Sequence, residues 1–262
     1  MLLEGKKALI MGLANNKSIA WGIAQSMKEH GARVAFNYVG EAIKKRVLPL
    51  SAELGGDFTF QCDVCSDEEI SAAVDVVREQ WGTFDILVHS IAFAQKEDLR
   101  GRFMDVSREG FKLALEVSAY SLPALCKAFE PLLNPGASIL TMTYHGSTKV
   151  IPGYNVMGVA KAALEACVRY LAYDLGPKNI RINAISSGPI RTLAASAVTS
   201  MRDVFIRMQE ACPLHRNVTT TDVGKTAVYL ASDLANAVTG AVIYTDCGFS
   251  QMGVTEGLAE NK

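Results

Sequence analysis

The chain lacks any apolar run approaching the ~20 residues that cross a bilayer, so nothing in it predicts a membrane span. Its N-terminus, MLLEGKKALIMG, sets a lysine pair beside a short apolar stretch and has no small-residue cleavage site. We read that stretch as a first strand, not an export signal. Charge of one sign is also lacking. The 26 Lys and Arg against 27 Asp and Glu leave a net charge of −1, which excludes an overall basic field for nucleic acid or anionic lipid. His30, His89, His145 and His215 show no ligand spacing and no HExxH, so no metal site is expected. The six cysteines are scattered through core-like segments, which without an export signal predicts reduced thiols in a cytoplasm. Cys62-Asp63-Val64-Cys65 spells CxxC, yet it lacks a partner pair for zinc and the aromatic and proline context of a redox site. We read it as packing. Internal repeats, low-complexity tracts and Pro/Gly/Ser-rich linkers are absent too, and 1–262 is read as a single domain.

What is present is alternation. Hydrophobic residues at 49% against 20% charged suit a globule with a full core. Short apolar, β-branched runs at 8–12, 33–38, 58–64, 86–91, 138–143, 181–186 and 242–245 read as strands. Helical periodicity fills 19–30, 67–81, 108–133, 154–175 and 221–231. The turns between them carry Asn134-Pro135-Gly136 and Gly176-Pro177. Several strands are apolar throughout, as a sheet covered on both faces requires. The pattern predicts a doubly wound α/β fold of the Rossmann type, with about seven parallel strands and helices on both faces. Ligands in such sheets bind at the carboxyl ends of the strands.

The GxGxxG fingerprint is missing after the first strand. Gly12 nonetheless lets backbone approach a pyrophosphate, Ser18 before Ile19 is an N-cap facing an anion, and Gly22 lets the helix pack on the strand. Alone, this loop is an ordinary strand-loop-helix turn at least as readily. Three further strand ends strengthen it. Asp63-Val64 can receive an adenine amino group, Ser90-Ile91 offers room for a ribose, and Ser187-Gly188-Pro189-Ile190 is a rigid turn able to meet a carboxamide. Their coincidence at one sheet edge predicts a dinucleotide site.

Tyr154 and Lys161 stand seven residues apart in YNVMGVAK. On a helix that spacing is two turns, so both side chains share a face about 10 Å apart along the axis. Lys161 is then placed to hold a nicotinamide ribose and lower the pKa of the nearby phenol, and Tyr154 to donate to a developing oxyanion. Spacing alone is equally met by a solvated lysine beside a half-buried tyrosine; the sheet context lifts it above that.

These features together resemble the short-chain dehydrogenase/reductase family across essentially the whole chain. The first loop lacks that family's usual TGxxxGxG, and Ser90-Ile91-Ala92-Phe93 stands where NNAG is usual. Gly12-x5-Ser18-Ile19-Ala20, His89-Ser90-Ile91, Tyr144-x9-Tyr154-x6-Lys161 and Gly188-Pro189-Ile190-Arg191-Thr192 are similar to a divergent branch, the bacterial enoyl-acyl carrier protein reductases. The resemblance implies reduction of a trans-2-enoyl thioester on acyl carrier protein in fatty acid elongation. Tyr154 would hydrogen-bond the enolate oxygen, Tyr144 would position the thioester, and Lys161 would fix the ribose. Ala94 would border the acyl chain. Val39, Ile190, Thr192 and Ala194 would lie along the cofactor, and 191–205 would form a lid. The resemblance also implies a homotetramer built through 108–133 and 154–175; Arg202 and Arg207, which follow the lid, are the nearest candidates for docking the acidic carrier, and read equally well as two solvated arginines on a helix.

Two departures stand out: Thr143 before Tyr144, and Cys247 in a turn where a small residue is expected. Neither touches the chemistry as read here. Tyr38-Val39-Gly40-Glu41 holds neither an acidic ribose clamp nor an immediate arginine, and Lys44, Lys45 and Arg46 read as a solvated helix face. NADH is therefore favoured over NADPH. The alternative enzyme is a carbonyl reductase of the same family, acting on a 3-ketoacyl or other ketone with Thr141 as its hydroxyl partner. Tyr144 and the missing NNAG weigh against it. A silent NAD(H)-binding regulator would have no need of Tyr154 and Lys161.

Overall fold

Apolar strands that do not alternate need cover on both faces, and the fold supplies it. The computed structural model describes residues 1–190, 192 and 209–253. Its strands are β1 (Lys7–Met11), β2 (Arg33–Tyr38), β3 (Thr59–Gln61), β4 (Phe84–His89), β5 (Leu133–Thr143), β6 (Arg181–Ser187) and β7 (Val242–Thr245). They form one sheet in the order β3-β2-β1-β4-β5-β6-β7, with every adjacent pair parallel. The order reverses beside β1, which opens the crevice where doubly wound sheets bind ligands.

The helices are α1 (Ile19–Glu29), α2 (Gly40–Glu53), α3 (Asp67–Trp81), α4 (Arg108–Leu115), α5 (Ser121–Phe129), α6 (Val156–Leu175) and α7 (Thr220–Ala231). One core gathers Ile23 and Met27 of α1, Val47 of α2 and Val228 of α7 against β1, β2 and β4. The other gathers Val77 of α3, Leu125 of α5 and Leu164 of α6 on the opposite face. Capping sets several starts: Ser66 accepts from Glu69 N–H at 3.1 Å to open α3. Thr219 and Asp222 form a reciprocal box at α7 that Arg216 grips through both carboxylate oxygens.

Several expectations are corrected here. The span 108–133 is not one helix: a π turn at Glu116–Tyr120 separates α4 from α5, and Pro131 follows where α5 ends. The Asn134-Pro135-Gly136 turn is absorbed into β5 as an irregularity, with Leu133 opposite Phe84 and Ser138 opposite Ile86. β3 is shorter than 58–64 because it is an edge strand paired only with β2. The solvated helix face read at Lys44, Lys45 and Arg46 does stand on α2, which Val47 anchors in the core. Gly22 packs against a helix, not the strand: a Cβ there would sit 2.5 Å from the Thr220 carbonyl oxygen of α7. The α1–α7 contact thus closes on backbone.

Candidate active site

At the carboxyl edge of the sheet the strand ends are laced together by the chain itself. Gly12 has φ +101°, and a Cβ there would lie 2.1 Å from the Ser90 carbonyl oxygen, so glycine is demanded by the crossing of two backbone segments. Its N–H donates to Asn37 Oδ1 at 2.9 Å, and Asn37 Nδ2 donates to the Cys62 carbonyl at 3.0 Å. Asn37 is buried and ties the ends of β1, β2 and β3 into one rim. Sequence reading missed it, although an asparagine inside an apolar strand was a visible signal. Ser18 does begin α1, but its hydroxyl donates back to the Asn15 carbonyl and makes no cap. The expectation of a hydroxyl facing an anion is therefore corrected, because a local turn claims its proton. Asp63 follows β3 and accepts from Cys65 N–H at 3.0 Å. Val64 is buried and Ile91 half-buried on one core; Ile19 and Ile190 flank the other. Val39 is exposed at the start of α2. Thr192 N–H donates to the Ile190 carbonyl at 2.8 Å. Ala194, Arg202, Arg207 and all of the lid but Thr192 fall outside the described residues. As for CxxC, burial pushes Cys62 up to about 12 and Cys65 upward, the opposite of a reactive thiolate.

Tyr144 and Tyr154 meet beyond β5. Their ring centroids are 5.0 Å apart at 74°, edge to face. Gly146 makes the room: a Cβ on it would come 2.6 Å from the Tyr154 ring. Tyr154 packs with Ala94 against the small cluster of Leu99, Ala114, Val156, Met157 and Ala160. Ser118 fixes this side by accepting from Phe93 N–H at 3.0 Å and donating to the Phe93 carbonyl at 3.1 Å, which aims the turn that carries Ala94. The π turn thus has a use that periodicity did not reveal.

Tyr154 is not on the helix, as the seven-residue spacing had implied. Asn155 adopts φ +37° and α6 begins at Val156, so the tyrosine hangs from the loop before it. Lys161 stands in the second turn of α6, buried, its Nζ donating to the Met142 carbonyl at 2.8 Å. Burial lowers Lys161 to about 8, with Glu165 opposing that shift. Burial raises Tyr144 to about 12 and pushes Tyr154 up as well, reinforced by Tyr144. The expected lowering of the phenol is thus corrected: desolvation raises it, and Lys161 is turned to the strand end. Thr143 lies closer to the site than its sequence reading allowed, since its hydroxyl donates to Glu165 at 2.6 Å.

His89 decides a further point. Its Nε2 lies 2.8 Å from Ser121 Oγ and its Nδ1 2.8 Å from Thr141 Oγ1. Ser121 has already given its one proton to the Val117 carbonyl at 2.6 Å, so it accepts from Nε2–H. Nδ1 is then the acceptor, and Thr141 donates to it. Burial lowers His89 to about 3, which keeps it neutral. Thr141 is fully buried with its proton engaged and does not serve as the hydroxyl partner a ketone would need.

The donor set fits a nicotinamide dinucleotide. The Ser186 hydroxyl at the end of β6 is buried without a partner among the described residues, and Lys161 commits one of its three N–H groups to Met142. Comparison with known proteins bears on this edge and on the whole chain. The family described as enoyl-(acyl carrier protein) reductase matches residues 12–250. The NADH enoyl-acyl carrier protein reductase FabI of Rickettsia felis is 52% identical over 96% of this chain and 97% of its own. The solved reductase of Anaplasma phagocytophilum, in complex with NAD, superposes with TM-score 0.94 at 47% identity, covering 97% of each chain. That of Bacillus cereus, with NADP+ and indole naphthyridinone, gives 0.95 at 47% identity, over 97% of this chain and 99% of that one. A match of this extent, in sequence and in fold alike, places the chain in the enoyl-acyl carrier protein reductase family.

Proposed function

We propose that this chain reduces the trans-2 double bond of enoyl thioesters carried on acyl carrier protein, with NADH, in fatty acid elongation. The edge-to-face pair of Tyr144 and Tyr154 carries the reading, set beside a buried Lys161 at the end of β5. When bound, the nicotinamide supplies a hydride to the substrate's β-carbon. Negative charge would then gather on the thioester oxygen, where Tyr154 would hydrogen-bond it, and a proton taken up from water at the α-carbon would complete the reduction. A phenol pushed up by burial stays protonated and so remains a donor throughout the working range. Tyr144 holds that ring and positions the thioester, and Ala94 borders the acyl chain. Lys161 turns its uncommitted donors to the ribose hydroxyls. Gly12, Asp63-Val64, Ser90-Ile91 and Ile190 bring backbone and apolar surface to the cofactor, with Ser18-Ile19, Val39, Thr192 and Ala194 completing its path.

Other parts of the reading are carried by resemblance and surface. The working unit is a homotetramer in the cytoplasm, and exposed Val159, Tyr170 and Tyr173 on α6 supply apolar surface for pairing. Arg202 and Arg207, outside the described residues, are the candidates for steering the acidic carrier. The deciding experiment follows cofactor absorbance with a crotonyl thioester beside a β-keto thioester, each with NADH and NADPH. We expect oxidation of NADH with the enoyl substrate alone. Turnover of the β-keto thioester instead would make the chain a carbonyl reductase, and turnover of neither would make it a binding protein.

A further inference from the structure

Thr143, Lys161 and Glu165 meet at the end of β5, and the reaction as proposed uses only the lysine. All three are buried, at 3, 5 and 7% exposure. Lys161 Nζ reaches the Met142 carbonyl at 2.8 Å, and Glu165, one turn further along α6, accepts from Thr143 Oγ1 at 2.6 Å. Met142 and Thr143 are consecutive, so one dipeptide holds the lysine by its carbonyl and the carboxylate by its hydroxyl. A buried carboxylate is costly unless it is hydrogen-bonded and has a charge to answer, and Lys161 is the cation on its own helix face.

We propose that Glu165, held by Thr143, is a positioning residue, the counter-charge that keeps the Lys161 ammonium at the strand end with its remaining donors turned to the cofactor ribose. This rests on the reading of the chain as a nicotinamide-dependent reductase. Burial draws Lys161 down to about 8, and Glu165 is the group that opposes it. The other titratable groups packed around this point are His89 on β4, Tyr144, His145 and Tyr154 between β5 and α6, and Asp246 beyond β7. His89 is held neutral by burial, and both phenols are pushed up. His145 is lowered by burial, with Asp246 and Glu165 both opposing. Glu165 is thus the negative charge that acts on Lys161.

The test follows the Lys161 side-chain amine by NMR across pH in the cofactor-free protein, and NADH affinity by fluorescence over the same range. Glu165→Gln preserves shape and removes the charge. It should move the lysine midpoint down on the order of one pH unit. NADH binding should then weaken about fivefold near pH 8, because the protonated fraction falls from about a half to about a tenth. KM for NADH should rise with kcat at saturation changed less. Thr143→Val lets the carboxylate turn away and should shift both readouts in the same direction by less, and Thr143→Ser should restore them. A Glu165→Gln protein that titrates and binds NADH like wild type, losing only thermal stability, would overturn the role. Should Glu165→Gln fail to fold, the threonine pair decides: valine and serine behaving alike would overturn it. A wild type whose lysine titrates near 8 but which binds no NADH would instead overturn the reductase reading, and this role with it.

Discussion

The two halves of the carboxyl edge use their polar groups differently. Around β1, β2 and β3 the groups are spent on one another: Gly12 on Asn37, Asn37 on Cys62, Ser18 on Asn15 and Asp63 on Cys65. Around β5 and β6 they are buried or half-buried with unused capacity: the Tyr154 phenol is desolvated, and among the described residues Lys161 has one acceptor and the Ser186 hydroxyl has none. Unsatisfied polar groups cost stability, and native chains keep few of them without a reason. The first half is a frame that presents backbone, and the second holds the groups able to act on a bound molecule. The comparison shows why residue type alone misleads, since Ser18 and Ser186 are both serines at the rim and only one has its proton engaged.

The largest effect expected from breaking this contrast lies on the catalytic side. Tyr154→Phe should lower kcat by ~10²-fold with NADH binding kept, the scale of one lost donor to an oxyanion. Lys161→Ala should lower NADH affinity by roughly 10- to 100-fold as well as turnover, as for a charged hydrogen bond removed. Fluorescence titration beside steady-state kinetics separates the two, and a pair of variants indistinguishable from wild type would show the site to be misassigned.

Next comes the frame. Gly12→Ala drives a methyl into the Ser90 carbonyl at positive φ and should cost about 3 kcal/mol in urea unfolding. Unchanged stability there would mean that the rim is slacker than its contacts imply.

His89 joins the halves and sharpens the comparison through pH. Its folded pKa, about 3, lies below the ordinary 6.5, so the unfolded chain takes up a proton that the folded chain refuses. Its contribution is complete above about pH 6.5 and is lost as pH falls toward 3. The slope is about 1.4 kcal/mol per pH unit, hence roughly 2 kcal/mol by pH 5. Unfolding measured across that window should flatten in His89→Gln; an unchanged slope would assign the acid sensitivity elsewhere.

The smallest effect is the most selective. Gly146→Ala pushes on the Tyr154 ring from 2.6 Å and should reduce kcat about tenfold while leaving NADH affinity intact. Loss of cofactor binding instead would mean that the two halves are more tightly coupled than their contacts indicate.

The alternation of strands and helices was legible because the period of apolar residues changes between them, and five of the seven strands lie within two residues of where that pattern put them. β3 and β5 are the exceptions in length: as an edge strand β3 has one neighbour to hold it, β5 takes in the Asn134-Pro135-Gly136 turn, and hydropathy does not report neighbours. The break at Glu116–Tyr120 was hidden for a related reason, since a π turn keeps the helical look of its sequence and shifts only the hydrogen bonding. At the site, Tyr154 and Lys161 were found by spacing, yet the geometry that spacing suggested was wrong, because Asn155 takes a left-handed φ that no periodicity reveals. Asn37 and Ser118 act by contact with segments 25 residues away, and their neighbours in the chain say nothing of those partners.

By itself, then, the sequence determined a doubly wound parallel sheet and the identity of the tyrosines and lysine at its edge, because periodicity and residue type are local properties. Only the tertiary structure decided which of those groups remain free to act. Whether Thr141 keeps its proton, whether Lys161 faces a phenol or a strand end, and how far a phenol is pushed up depend on burial and on partners well separated along the chain, and even Ser18 loses its proton only because its turn brings the Asn15 carbonyl within reach. Proton ownership and desolvation are set by what surrounds a group in space, and chain order does not encode them directly.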